Sequence, residues 1–291
     1  MFLQALVNGL ISGSTLALLA LAFSLVYQSC RVFHISLGAV VTLTPYAAMI
    51  TLQMGAAWWA AAVAALASAV GLSLACEVVN HQPLDRKQAS HGAHLIGSLG
   101  IYIVVTQIVA IAWGDDVQVL RNGMDSTSNI GDLTISGAQW LSAGVSSLLF
   151  VGLIGWLRFS RLGLRLRALA DNPIQFCLSG HNAQRYRLVA FAVSGLLGGV
   201  AALLTAYDVG FDPHSGLHAL LLAVVAMIVG GRSSFYGPIV GGLLLGVVRD
   251  LVSWQFSAQW QDVFTFLLLG IVLYIQPNGL IGRRSRLEVQ Q

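Results

Sequence analysis

Stretches of about 20 apolar residues recur along nearly the whole chain, and a hydrocarbon core of roughly 30 Å demands that length of a helix. Backbone amides inside lipid must bond within their own segment or within a closed barrel. Runs this long select helices. On that ruler the sequence predicts nine, near residues 4–28, 36–54, 57–76, 94–113, 138–158, 187–207, 216–230, 236–254 and 263–276, with eight as the alternative count. The second and seventh are open to being broken or re-entrant, because the second carries Pro45 and the seventh is short. Composition agrees: 56% of residues are hydrophobic and 9% charged, whereas a soluble domain carries about 25% charged residues. The expected fold class is an all-α polytopic membrane protein, a single transmembrane domain over residues 1–291.

Charge placement orients the bundle. Lys and Arg collect in cytoplasmic loops. Here Arg86 and Lys87 fall in a loop expected at 77–93, and Arg158, Arg161, Arg165, Arg167, Arg185 and Arg187 in a loop at 158–187. Arg31 and Arg232 follow the first and seventh helices, and Arg283, Arg284 and Arg286 fill the tail. The opposite loops carry Asp115, Asp116, Asp125, Asp132, Asp208, Asp212 and Asp262, with Arg121 the exception. Nine helices with the N-terminus outside and the C-terminus in the cytoplasm satisfy this bias. Arg249 is expected to pair with Asp250 or to snorkel. No Lys or Arg precedes Arg31, so a secretory signal is not expected and the first helix is read as part of the mature protein. The outer loop 114–137 is polar, with a short strand expected at Leu133–Ile135. It is either a docking surface for an external partner or a plain connector.

Several chemistries lack their residues. No G-x-x-x-x-G-K-[ST] sequence occurs, and Lys87 is the single lysine, so a P-loop nucleotide site is excluded. No predicted span carries a midplane Asp, Glu, Lys or Arg, which argues against proton relay. No catalytic triad, paired carboxylate or HExxH pattern is visible. Cys30, Cys76 and Cys177 are far apart and read as small apolar residues. His91 and His94 are three apart with no third metal ligand in view, and read as an interfacial helix start.

The segment from Ser160 to Asn182 is the most informative. Asn172 suits an N-cap, Pro173 the first helical position and Gln175 the N3 position of a capping-box-like pattern. Gly180 suits the left-handed residue that ends a helix. A helix of about two turns is predicted, with Ile174, Cys177 and Leu178 on one face and Phe176 off it. Such a helix either rests on anionic lipid or docks a soluble partner. Elsewhere, Gly9 and Gly13, Gly237 and Gly241, and Gly242 and Gly246 stand four apart, the small-xxx-small spacing that lets helices pack or glide closely.

Three blocks resemble the permease family of ABC importers for branched-chain amino acids, whose relatives import urea and amides. The family's S-R-x-G, R-A-x-A-[DE] and L-x-G-x-N are matched by Ser160, Arg161, Gly163, Arg167, Ala168, Ala170, Asp171, Leu178, Gly180 and Asn182. Its G-G-x-x-S-x-x-G-x-x-x-G-G is matched by Gly230, Gly231, Ser234, Gly237, Gly241 and Gly242, and its N-G-x-x-x-G-[ST]-x-x-[AS]-L by Asn8, Gly9, Gly13, Ser14, Ala17 and Leu18. A P-x-G-[LI] ending is present at Pro277, Gly279 and Leu280. The family's N-F-A-H-G is replaced by His34-Ile-Ser-Leu-Gly38, and its usual Ala, Ile and Lys by Phe176, His181 and His218.

The resemblance implies a subunit of the bacterial inner membrane that moves branched-chain or other small amino acids, or related amides, into the cytoplasm. It implies an external solute-binding protein, a second permease subunit, expected to be a paralogue, and two cytoplasmic ATPase subunits that hydrolyse the ATP. This chain then binds no cofactor, and its environment is membrane lipid without nucleic acid. The loop 159–186 would carry the coupling helix, with Arg165, Arg167, Ala168, Asp171, Asn172, Ile174, Leu178, Gly180 and Asn182 as ATPase-coupling residues. Gly9, Gly13, Ser14, Gly38, Gly230, Gly231, Ser234, Gly237, Gly241 and Gly242 line the translocation path or pack helices. An autonomous secondary carrier or channel for a small polar solute is the alternative, and a membrane-bound enzyme or scaffold a third reading.

Overall fold

A computed structural model describes residues 1–121, 127–130 and 133–281; Asp125, Asp132, Arg283, Arg284 and Arg286 lie outside the described residues. Helices stand at all nine predicted places: α1 (Phe2–Cys30), α2 (Leu37–Gln53), α3 (Trp58–Arg86), α4 (His91–Trp113), α5 (Gly137–Phe159), α8 (Ala183–Asp208), α9 (Ser215–Gly230), α10 (Gly237–Gln255) and α11 (Ala258–Ile275). Seven of these are long and apolar enough to cross a membrane; α2 and α9 are shorter. Both are continuous, α2 running through Pro45, so neither is broken within its predicted length. Two further helices, α6 (Arg161–Asp171) and α7 (Pro173–Leu178), connect α5 to α8.

Among the described residues a two-stranded antiparallel hairpin is the exception to the helical rule. β1 (Thr127–Ile130) pairs with β2 (Leu133–Ser136) in the register Thr127↔Ser136 to Ile130↔Leu133, which covers the expected strand. The Gln4 side chain donates to the Thr134 carbonyl at 2.8 Å and accepts from the Thr134 amide at 3.0 Å. The hairpin thereby gains a third, side-chain edge.

The chain divides into two compact units. One comprises Met1–Ser24, Gly123–Phe150 and Leu221–Gln291. Its helices meet through glycine. A Cβ on Gly9 would come within 2.7 Å of Val247 Cα, and one on Gly242 within 2.5 Å of Ala17 Cα. Lipid gives helices no hydrophobic reason to associate, so backbone proximity and dispersion hold this unit together. Arg249 pairs with Asp262 at 2.7 Å and bonds Gln261 and Thr265. Its expected partner, Asp250, instead accepts from the Ser12 hydroxyl at 3.0 Å. Arg249 therefore ties α10 to α11, a turn-crossing contact that sequence adjacency did not suggest.

The second unit comprises Leu25–Asn122 and Val151–Leu220. Within it α2, α3, α4 and α8 pack against one another. One pole is apolar and aromatic: Tyr46, Ala48, Ala65, Val109, Leu120, Ala206 and Phe211 are buried together, with Tyr46 edge-on to Phe211 at 4.8 Å between ring centroids. The backbone of Gln118 bridges Phe211 in both directions at 2.8 Å, which anchors the loop after α4 to this pole. The other pole is polar. The loop expected at 77–93 is mostly helix, because α3 continues through a π-helical turn at Glu77–His81 as far as Arg86. Likewise α8 starts at Ala183, a turn earlier than hydropathy placed it, because Asn182 caps it. Ionised side chains in these terminal turns lowered the local hydropathy and hid the helix.

Candidate functional site

The segment joining α5 to α8 is built by caps. Ser160 Oγ accepts from the Gly163 amide at 2.9 Å and starts α6. A Cβ on Gly163 would lie 2.5 Å from Leu157 Cα, so only glycine lets α6 fold back on the end of α5. Asn172 adopts an extended backbone, and its side-chain oxygen accepts from the Ile174 and Gln175 amides, both at 3.1 Å. That starts α7, as predicted. Gly180, at φ +79°, turns the chain, and Asn182 Oδ1 accepts from the Gln184 amide at 3.0 Å to start α8. Ser160, Asn172, Gly180 and Asn182 therefore each have a local structural task.

On α7 the apolar side chains divide. Phe176 is 4% exposed, edge-on to His181 and Tyr186 at 5.1 and 5.2 Å between centroids. Ile174 and Leu178 are 73% and 82% exposed. Arg165 donates to the Tyr186 hydroxyl at 2.8 Å, and Arg167 bonds the Arg158 carbonyl at 3.4 Å. Arg31 donates to the Ala170 carbonyl at 3.0 Å. Arg165, Ala168, Asp171, Asn172, Gln175 and His181 border an open cavity of about 490 Å³. Of these, Arg165, Ala168, Asp171 and Asn172 are among the residues expected in the coupling segment. Sequence spacing missed that residues 161–171 are helical, since the alternation of Leu and Arg there reads as a surface loop until Ser160 is seen to cap it.

Beneath this segment lies a buried polar cluster. Glu77 is fully buried. Arg187 Nε and Nη2 donate to its two oxygens at 2.8 and 3.2 Å, and Gln184 donates to it at 3.2 Å. The same guanidinium contacts Asp85 through Nη1. The other Asp85 oxygen lies 3.3 Å from His94 Nε2, and His94 Nδ1 is 3.2 Å from His81 Nδ1. His34, buried in the connection before α2, packs edge-on to Phe191 and lies 3.1 Å from the Ser36 hydroxyl. Burial, and secondarily His81, hold the His34 pKa well below its ordinary value, so this imidazole is neutral. Glu77, His81 and Asp85 recur every fourth residue, a signal of one polar helix face that the sequence carries. Among the described residues no group of three or more His, Cys, Asp or Glu is arranged to hold a metal.

The remaining expected site residues sit at helix contacts. Gly9, Gly13, Gly237, Gly241 and Gly242 face neighbouring backbone, with no room for a Cβ, and Gly230 contacts Gly237. Gly231 is at φ +123° and Ser234 Oγ accepts from the Tyr236 amide at 3.2 Å. Ser14 donates to the Ile11 carbonyl at 2.7 Å. A Cβ on Gly38 would lie 3.2 Å from the Tyr102 ring and 3.3 Å from the Gly216 carbonyl. The ending Pro277, Gly279 and Leu280 returns to α9, where the Leu280 and Ile281 amides bond the Val229 and Gly230 carbonyls at 2.9 Å.

Long apolar helices held by glycine contacts, with a self-capped helix pair between two of them, define a polytopic membrane protein. Residues 5–273 match the family model described as the branched-chain amino acid transport system / permease component. The chain is 30% identical over 302 aligned positions to the high-affinity branched-chain amino acid transport system permease protein LivH of Salmonella typhimurium, covering 97% of this chain and 96% of that one. It is 31% identical to the corresponding permease protein BraD of Pseudomonas aeruginosa over the same shares of the two chains. A probable branched-chain amino acid transport permease protein LivH of Methanocaldococcus jannaschii is 23% identical over 94% of this chain. The chain belongs to the branched-chain amino-acid transport permease family, whose members are membrane subunits.

Proposed function

We propose that this chain is one membrane-spanning subunit of an ATP-driven importer that carries branched-chain or other small amino acids, or related amides, into the cytoplasm. An external binding protein delivers the substrate. A second permease, a paralogue, completes the path, and two cytoplasmic ATPase subunits bind and hydrolyse the ATP. The two units act as one transmembrane domain of the bacterial inner membrane, with the N-terminus outside and α6–α7 in the cytoplasm. The relatives' names support the substrate class, and their match along nearly the whole chain supports the subunit role.

α7 carries the coupling part of this reading. A six-residue helix stabilised by its own Asn172 cap leaves Ile174 and Leu178 bare while Phe176 anchors it from behind. Apolar side chains exposed to water are unfavourably hydrated, and a partner that covers them gains that free energy. A groove on each ATPase is the partner chemistry that fits. ATP-driven closure then favours one permease conformation through its differential contacts with α7.

Co-purification in detergent with the cognate ATPases tests this, comparing the native chain with the Ile174→Asp/Leu178→Asp double variant. Binding by the native chain that the correctly inserted variant loses is the expected result. Equal binding by both, or none by the native chain, overturns the assignment.

A further inference from the structure

We infer that Arg187 is a positioning residue, a latch that transmits the movement of α7 into α3 and α4 by clamping Glu77 and Asp85. The inference rests on the importer reading above and adds the route by which the coupling segment reaches the membrane helices.

The connection is continuous and short. α7 ends at Leu178, Gly180 turns the chain, and Asn182 caps α8. Arg187 lies within the second turn of α8, so a displacement of α7 is delivered to it through a few residues of capped backbone. The guanidinium is planar and forked, so it bonds Glu77 through Nε and Nη2 while Nη1 meets Asp85. Glu77 opens the π-helical turn Glu77–His81, and Asp85 stands eight residues on, in the α-helical end of α3. Asp85 then passes the contact to His94 on α4. One side chain thus holds three helices at their shared pole.

Above the latch, α8 lies flush on α3. Ser73 donates to the Phe191 carbonyl at 2.7 Å, and a Cβ on Gly195 would come within 2.7 Å of Ser73 Cβ. That contact is close packing with one neutral hydrogen bond, and the charge-assisted bonds of the latch add a stronger hold on the axial register of α3 and α8. The π-helical turn is where α3 has a spare backbone arrangement, since such turns interrupt the regular hydrogen-bond ladder. A clamp on the first residue of that turn and on the helix just beyond it is placed to make the turn follow α8. Burial of Glu77 keeps the pair unscreened by salt.

Hydrogen exchange of the assembled complex, with and without a non-hydrolysable ATP analogue, tests the latch without knowledge of the substrate. In the native complex the analogue is expected to change exchange in residues 77–86 by about five-fold or more, the lower end of ordinary allosteric coupling. Arg187→Lys keeps the charge but, as a single ammonium, does not span both carboxylates. It is expected to retain the ATPases and the change in residues 172–182 while losing the change in 77–86. A native complex in which 172–182 respond and 77–86 do not overturns the latch and leaves the importer reading standing. So does a Lys variant that transmits like the native chain. A native chain that recruits no ATPase overturns the importer reading and the latch with it.

Discussion

Replacing Arg187 by Met tests what the buried cluster contributes to stability. The substitution removes two hydrogen bonds to Glu77 and the contact with Asp85, and leaves a fully buried carboxylate facing the Gln184 amide. Removing one partner of a buried ion pair costs about 3–5 kcal/mol, because the surviving charge has lost its compensation. Glu77→Met is milder, about 1–3 kcal/mol, since Arg187 keeps Asp85 and sits at a helix end from which it reaches water. The double variant restores a neutral, volume-matched contact between α3 and α8, and its stability should return to within about 1 kcal/mol of the native chain. The coupling free energy of the cycle is then about 3 kcal/mol or more. Denaturation in detergent micelles at one fixed pH, followed by tryptophan fluorescence, reads the order of midpoints: native and double together, Glu77→Met below them, Arg187→Met lowest. A double variant that loses as much as the two single variants summed refutes the reasoning. So does a cost for Arg187→Met below about 1 kcal/mol, the range of exposed pairs.

Asn172→Ala deletes both cap bonds of α7 and should cost about 1 kcal/mol of local helix stability, which weakens ATPase binding about five-fold; titration of the detergent-purified complex measures it, and unchanged affinity would show that α7 does not need to be preformed. His34 is neutral in the folded chain because its pKa is depressed there, so the unfolded chain binds the extra proton. Stability should therefore fall as pH drops through about 6.5, the ordinary histidine value, and His34→Gln should flatten that part of the profile, which denaturation midpoints between pH 5 and 8 will show.

Helix positions were legible because lipid leaves a chain few solutions. Lipid offers backbone amides no outside partner, so an apolar run bonds within itself as a helix, and helices stand at all nine expected places. α7 was equally legible, since its start and stop lie within the reach of Asn172, Pro173 and Gly180. The S-R-x-G block was visible as a pattern but not as a helix start, because its glycine is explained by Leu157 on a different helix.

The features legible in advance are therefore local: capping within four residues, the length of an apolar run, the small-residue spacing along one face. The others depend on partners far along the chain. Glu77 and Asp85 fall within the stretch expected as a loop, 77–93, yet they stand on a continued α3 and pair with Arg187, 110 residues beyond Glu77. Arg249 was open to pairing with its neighbour Asp250 or to snorkelling, and the structure pairs it with Asp262 on α11. Phe176 and Ile174 are two apart on the same short helix, yet one is buried and the other bare because Tyr186 and His181 lie on one side only. Hydropathy scores a charge by its cost in isolation, and that cost vanishes when a distant residue supplies the countercharge. Its supply is a property of the folded chain and of no single segment.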